Sequence, residues 1–389
     1  MNKDSIYFTI NKLLRTAVFI FIDTFFSMYF FKLVNYQIFP MSKYYLFTYL
    51  FLFVGFFIIR KSIKKEIKVG YYRLSVSLLA FYLTLILLLK ENIPKYISLI
   101  GLIKGLAEGL YYYPTNIFDT EKISNENRKK YSGLLNTFST LIRIIVQLIL
   151  GMFLDKYSYI KIGKVMVVFI ILMLINSFFI KDEPYKKNKF SYKEFKNYIK
   201  NKPIFNKVSI IRILEGLTYS SSALNVIMTL YTITYIENNT HYGIFNSVLS
   251  FISLITTTIY AYKKSHKEKN IIIITNVLTI LSLIYLLINP SVYSLILYLT
   301  IYNSVITYVI LTSKNKVVNL TNEYHKIKNE FKAEYHLYIE FNLFKGRLIS
   351  YLIFLFIGLL NNIFYFKILI IIGIISYFIL LYILREINE

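Results

Sequence analysis

The sequence predicts an all-α integral membrane protein with twelve transmembrane helices in two pseudo-symmetric six-helix bundles. Three observations predict it. Of 389 residues, 56% are hydrophobic and the mean hydropathy is +0.53, as in a chain that spends its length on spans rather than on soluble cores. The apolar sequence divides into twelve segments of about the ~20 residues that a bilayer requires. Between the sixth and seventh lies the one long polar interval, Lys181 to Lys207, with nine lysines against Asp182, Glu183 and Glu194.

The expected spans are residues 13–38, 44–59, 71–89, 96–118, 131–154 and 162–180, then 208–236, 242–262, 270–288, 291–313, 336–360 and 366–384. The domain division follows: a first six-helix half at 1–180, a cytoplasmic linker at 181–207 and a second half at 208–389. With the N-terminus inside, 29 Lys and Arg fall in inner loops and seven in outer loops, which sets both the orientation and the count of spans. Both termini are then cytoplasmic, and the protein is expected to be a multi-pass protein of the plasma membrane. Met1 to Lys12 is short and basic, and the apolar run after it is longer than a signal-peptide core and has no small-x-small cleavage site, so it reads as a retained first span.

In the linker, Ser191 and Glu194 form a capping-box pattern, and Tyr192, Phe195 and Ile199 share one helical face. A short amphipathic helix on the inner membrane surface fits this pattern. Val317, Leu320, Tyr324, Ile327 and Phe331 repeat it before span eleven. The halves also echo each other. Asn11-Lys12 with Arg15 opens span one and Asn206-Lys207 with Arg212 opens span seven, and Tyr131 to Arg143 aligns without a gap on Tyr335 to Arg347. Internal repeats of this kind mark transporter halves.

Several classes are excluded. The formal charge of +24 follows the inside rule rather than forming a soluble patch, so nucleic acid is not a partner. The absence of cysteine removes disulfides, thiolate metal sites and cysteine nucleophiles. His241, His266, His325 and His336 fall in loops or at span ends, so no intramembrane metal site or histidine relay is expected. Neither Gly-x-x-x-x-Gly-Lys nor Gly-x-Gly-x-x-Gly occurs, which argues against nucleotide cofactors and ATP-driven transport. Outer loops of roughly ten residues or fewer leave little room for the extended outer segment of a membrane glycan polymerase. No catalytic residue and no cofactor is expected.

The residues Gly55-Phe-Phe-Ile-Ile-Arg60-Lys61-Ser62-Ile-Lys64-Lys65 follow span two. With the six-loop-six plan and the basic central loop, they make the chain resemble the major facilitator superfamily over essentially its whole length. The stretch sits where that family carries a Gly-x-x-x-Asp-Arg-x-Gly-Arg-Arg type motif. Gly55, Arg60 and Lys64 match it, while Ile59 stands at the acidic position and Ser62 at the second glycine. The resemblance implies a secondary transporter working by alternating access, with Gly55, Arg60 and Lys64 at a cytoplasmic gate that the family's acid helps to lock. A polysaccharide or lipid-linked oligosaccharide flippase is the competing class.

Ionisable groups deep in a span are unfavourable unless paired or wetted, so each is a functional candidate. Arg143 and Arg347 lie at equivalent places, about 18 Å along their helices at 1.5 Å per residue. Their forks suit a carboxylate or phosphate on a small solute, or an acid that only holds helices together. Glu340, two turns before Arg347, lines the same cavity or neutralises that arginine. Asp23 in span one has no acid-base partner at helical spacing, so its partner must come from another helix. Glu108 has Lys104 one turn before it. These three acids, Asp23, Glu340 and Glu108, are candidate proton carriers, which makes H+ the coupling ion to test. Arg212 and Glu215 are placed to pair locally, Asn116 after Pro114 to act as a polar substrate or gate residue, and Gly101, Gly105 and Gly109 to pack another helix closely. The expected partners are a small solute, a proton and membrane lipids, with the protein acting as a monomer.

Overall fold

The structure, a computed structural model, describes residues 3–60, 68–122, 125–181, 190–219, 222–262, 268–360 and 366–387, and the regular structure of these residues is helical. Ten helical runs are long and apolar enough to cross a membrane. One of them, Val69–Ile117, holds two spans joined by a 3-10 turn at Lys90–Tyr96, where Pro94 removes a backbone donor and Lys90 takes a φ of 48°. Span seven is a twelfth crossing broken into two helices that are each too short alone. The twelve expected spans are therefore present, with shifted ends.

Span one begins earlier than expected, at Lys3, and ends at Leu33, because Asn35 and Tyr36 take positive φ and turn the chain into span two at Ile38. Its helix loosens into a π-helical turn at Phe21–Phe26, which contains Asp23. Such turns are rare and frequently mark functional sites.

The break in span seven corrects the reading of 208–236 as one helix. Pro203–Thr218 and Ala223–Tyr235 leave carbonyls and amides without helical partners at mid-span. Side chains supply them. Asn225 Nδ2 donates to the carbonyls of Thr218 and Tyr219 at 2.9 and 2.8 Å, Tyr377 donates to Thr218 at 3.3 Å, and Ser350 Oγ accepts from Ala223 N at 2.9 Å. In a lipid environment these substitutes are what make a broken helix tolerable.

Lipid tails are as apolar as leucine, so helices in a bilayer associate through close van der Waals packing. Gly101, Gly105 and Gly109 lie along one face of span four against the backbone of span two, where an added Cβ would collide with the carbonyl oxygens of Tyr44, Thr48 and Leu52. Gly55 is part of the same seam, its Cβ position 3.0 Å from Gly109 Cα. In the second six spans the equivalent close approach is between spans seven and eleven, at Gly216 and Gly346.

The linker helix forms at Tyr192–Ile199, and Ser191 caps it by accepting from Glu194 N at 3.4 Å. The reciprocal half of the box is replaced, since Ser191 N donates to Glu334 of span eleven at 2.9 Å. Phe195 and Ile199 do not face lipid. They are buried against Phe205, Phe331 and Tyr335, together with Val317 and Ile327. Span ten continues to Glu323, so Lys314 and Lys316 belong to a helix rather than to an inner loop.

Replacing Gly105 by Val drives a side chain into the span-two backbone, whereas Gly163→Ala meets only the tip of Leu87. Thermal unfolding in detergent is expected to show Gly105→Val destabilised by about 3 kcal/mol and Gly163→Ala by under about 1 kcal/mol. Equal losses would contradict the seam.

Candidate functional site

Span five shows how the interior is lined. Phe138, Leu141, Ile145, Ile149 and Met152 are exposed at three- and four-residue spacing and form one outward stripe, while Thr140, Gln147, Leu150 and Leu154 are buried on the other side. Arg143 is two residues from both Leu141 and Ile145, about 200° around the helix at 3.6 residues per turn. It therefore lies on the inward side. Arg143 is nevertheless exposed, and among the described residues it makes no hydrogen bond or salt bridge. An exposed side chain on an inward face borders open interior space.

Asp23 meets this space from span one. Its side chain is 50% exposed although Phe21, Ile22, Phe25 and Phe26 around it are buried. Oδ1 accepts from Lys104 Nζ at 2.6 Å, and Oδ2 has no partner among the described residues. The expectation that the partner of Asp23 comes from another helix holds. Asp23 stands level with Arg143, because spans one and five pack together and Lys12, eleven residues before Asp23, lies 5.9 Å from the ring of Tyr131, twelve residues before Arg143.

Lys104 is buried, and its second partner is Glu108, 3.7 Å away and one turn on. Glu108 lies within electrostatic reach of Arg15 of span one and of Arg347 of span eleven. The Arg347 guanidinium lies 5.1 Å from the ring centre of Tyr49. Five groups on four spans thus alternate in sign: Arg347, Glu108, Lys104, Asp23 and Arg143. Only Asp23 and Arg143, at one end of the row, are exposed.

A second cluster lies nearer the linker. Glu340 accepts from Arg212 at 3.5 Å and from Asn116 at 3.4 Å, so its neutralising arginine is in span seven. Arg212 also pairs with Glu215, as its spacing suggested, and Ser313 donates to Glu215. Asn116 to Glu340 and Tyr113 Oη to the Ala333 carbonyl, 2.9 Å, join the first six spans to the last six. Lys12 and Asp119 pair beside them at 2.7 Å. Asn116 is thus a joint between halves rather than a member of the central row. Of the motif residues, Gly55 packs in the glycine seam, Arg60 caps its own helix through the Phe57 carbonyl and stacks on that ring, and Lys64 lies outside the described residues.

Sequence reasoning missed two features. Asp155, at the end of span five, accepts from Asn239 Nδ2 at 2.9 Å and Thr240 N at 3.0 Å, and so caps the first turn of span eight from the other half. A carboxylate is favourable there because the first amides of a helix are unpaired. The signal was the Asn-Asn-Thr start of span eight, which has no acid of its own. Arg15 is buried between the rings of Phe19 and Tyr111, 3.7 and 3.8 Å from their centres.

The family model described as Major Facilitator Superfamily matches residues 67–315, well over half of the chain. The chain belongs to this superfamily. It is a transporter and not an enzyme. The same fold appears in solved superfamily structures. The human organic anion transporter MFSD10 aligns at a TM-score of 0.69 with 10% identity, covering 98% of this chain and 100% of that one. The nucleoside transporter NupG aligns at 0.65 with 13% identity, covering 99% and 100%. A bacterial homologue of the iron transporter ferroportin, in an outward-facing state, aligns at 0.63 with 13% identity and 99% of each chain. A comparison with curated proteins finds no sequence match. Ile59 stands at the acidic position of the superfamily motif, and at the linker end the halves are joined by spans four and eleven and by Asn315 of span ten, which donates to Ser132 of span five at 2.9 Å.

Because the chain has no cysteine, single cysteines report directly on its faces. Arg143→Cys and Asn136→Cys are expected to react with a charged, membrane-impermeant thiol reagent, and Leu141→Cys and Ile145→Cys to stay unmodified. Equal labelling around span five would remove the interior space.

Proposed function

We propose that the protein is a secondary-active transporter that moves a small organic anion by alternating access with proton coupling. The unpaired Arg143 on an inward face carries this reading. A guanidinium with free donors offers two-point geometry to a carboxylate or phosphate. Arg347, at the equivalent position of span eleven, belongs to the same site through Glu108. The solute passes between halves at 1–180 and 208–389, joined by the linker at 181–207, in a monomer of the plasma membrane with both termini cytoplasmic.

Asp23, Glu108 and Glu340 are the proton carriers of this reading. Each already shares a basic neighbour, so a solute that draws that base away leaves an acid in low dielectric, where protonation is favoured. For Glu340 the base that must be drawn away is Arg212.

Reconstituted vesicles with an imposed pH gradient test the reading. Arg143→Ala with Arg347→Ala is expected to abolish uptake, while Glu340→Gln and Asp23→Asn keep exchange and lose pH-driven accumulation. Unimpaired uptake by the arginine pair reduces both to scaffolding, and full accumulation by both acid variants removes proton coupling. Reporter fusions at Glu183 and Glu389 are expected inside and a fusion at Asn239 outside; the opposite result for Asn239 would overturn the orientation.

A further inference from the structure

We infer that the solute is amphoteric, carrying an ammonium or comparable cation within a few bonds of its carboxylate. The inference rests on the reading of Arg143 as an anion-binding group and adds what the other exposed group requires. Of the five charges in the central row, Lys104 and Glu108 are buried, Arg347 is half-buried, and Arg143 and Asp23 alone are exposed. They are opposite in sign and stand level on the packed spans one and five, eleven and twelve residues beyond the contact of Lys12 with the Tyr131 ring at 5.9 Å. A simple anion bound at Arg143 therefore sits within the field of Asp23 and loses much of what it gains.

A solute with both charges complements both groups. Its carboxylate takes the donors of Arg143, which no described residue uses. Its ammonium donates to Asp23 Oδ2, the oxygen that Lys104 leaves free while holding Oδ1 at 2.6 Å. Lys104 is then a positioning residue: it fixes the Asp23 carboxylate and is itself held by Glu108 at 3.7 Å. Asp23 lies in the π-helical turn at Phe21–Phe26 and is the exposed residue of that turn. Nothing in the exposed pair favours a purely cationic solute, since Arg143 repels it as Asp23 attracts it. Asp23 carries a proton only while the ammonium is absent, and Glu108 and Glu340 are the carriers while the solute is bound.

The test uses purified full-length protein in detergent and matched probes with one carbon skeleton each: phenylalanine, 3-phenylpropionate and phenethylamine, and likewise leucine, 4-methylpentanoate and 3-methylbutylamine, with the remaining common amino acids as a pool. Ligand-induced rise in unfolding temperature and uptake into vesicles are read together. At least one amphoteric member is expected to stabilise the protein and to bind about tenfold or more tighter than its carboxylate-only and amine-only analogues. Arg143→Ala is expected to abolish that binding, and Asp23→Asn to bring the amphoteric compound and its carboxylate analogue to similar affinity. Asp23→Glu, which keeps the charge, is expected to retain the preference and guards against a folding defect in Asp23→Asn. A carboxylate-only probe that binds as well as its amino-acid partner, in an Arg143-dependent way, overturns the inference and leaves the anion reading intact. Binding that ignores Arg143→Ala overturns both. A panel in which no amphoteric probe binds counts against the inference.

Discussion

A charge in the middle of a bilayer must be paired or wetted, and this requirement organises the protein. Asp23, Lys104 and Glu108 satisfy it by pairing in series across spans one and four. Arg347 stands at one end of the series on the face of Tyr49. Arg143 closes the other without a bond of its own. Pairing accounts for the buried members, and only water or a solute accounts for the exposed ones. The position of the solute site follows from where the pairing stops.

Holding such a row in place takes helices that do not shift against each other. The glycine seam between spans two and four fixes the helix that carries Lys104 and Glu108, and Gly216 with Gly346 fixes spans seven and eleven, which carry Arg212, Glu340 and Arg347. Between the two groups of six, hydrogen bonds and close packing both occur: Asn116 with Glu340 and Tyr113 with Ala333 join them at the linker end, Asp155 meets the start of span eight at the other end, Gly151 of span five packs against Gly243 of span eight, and Tyr49 and Phe53 of span two stack on Tyr351 and Phe344 of span eleven.

Much of this was legible in the sequence, for particular reasons. The twelve spans and the glycine ladder are local patterns, and the lone Asp23 announced a partner on another helix by having none on its own. What was not legible depends on the rotation of one helix against another. Glu340 shares a face with Arg347, yet Arg212 and Asn116 reach it from spans seven and four. Arg143 and Arg347 align residue for residue, but one faces open space and the other packs on Tyr49. The amphipathic linker helix carried a clear pattern that did not say whether lipid or protein covers it, and Phe331 and Tyr335 cover it. The break in span seven hid because the polar run Thr218 to Ser222 is short and lies between two apolar stretches, and the groups that make it tolerable, Asn225, Ser350 and Tyr377, come from just after it and from spans eleven and twelve.

The pairing of Asp23 with Lys104 is the link on which the row depends, and a double-mutant cycle on unfolding free energy measures it most directly. Lys104→Met alone leaves two carboxylates without their shared base and is expected to lose about 3–5 kcal/mol. Combining it with Asp23→Asn is expected to restore a large part of that loss, giving a coupling of about 2 kcal/mol or more. Additive losses, with no recovery in the double variant, would mean that the two residues do not depend on each other and would contradict the row.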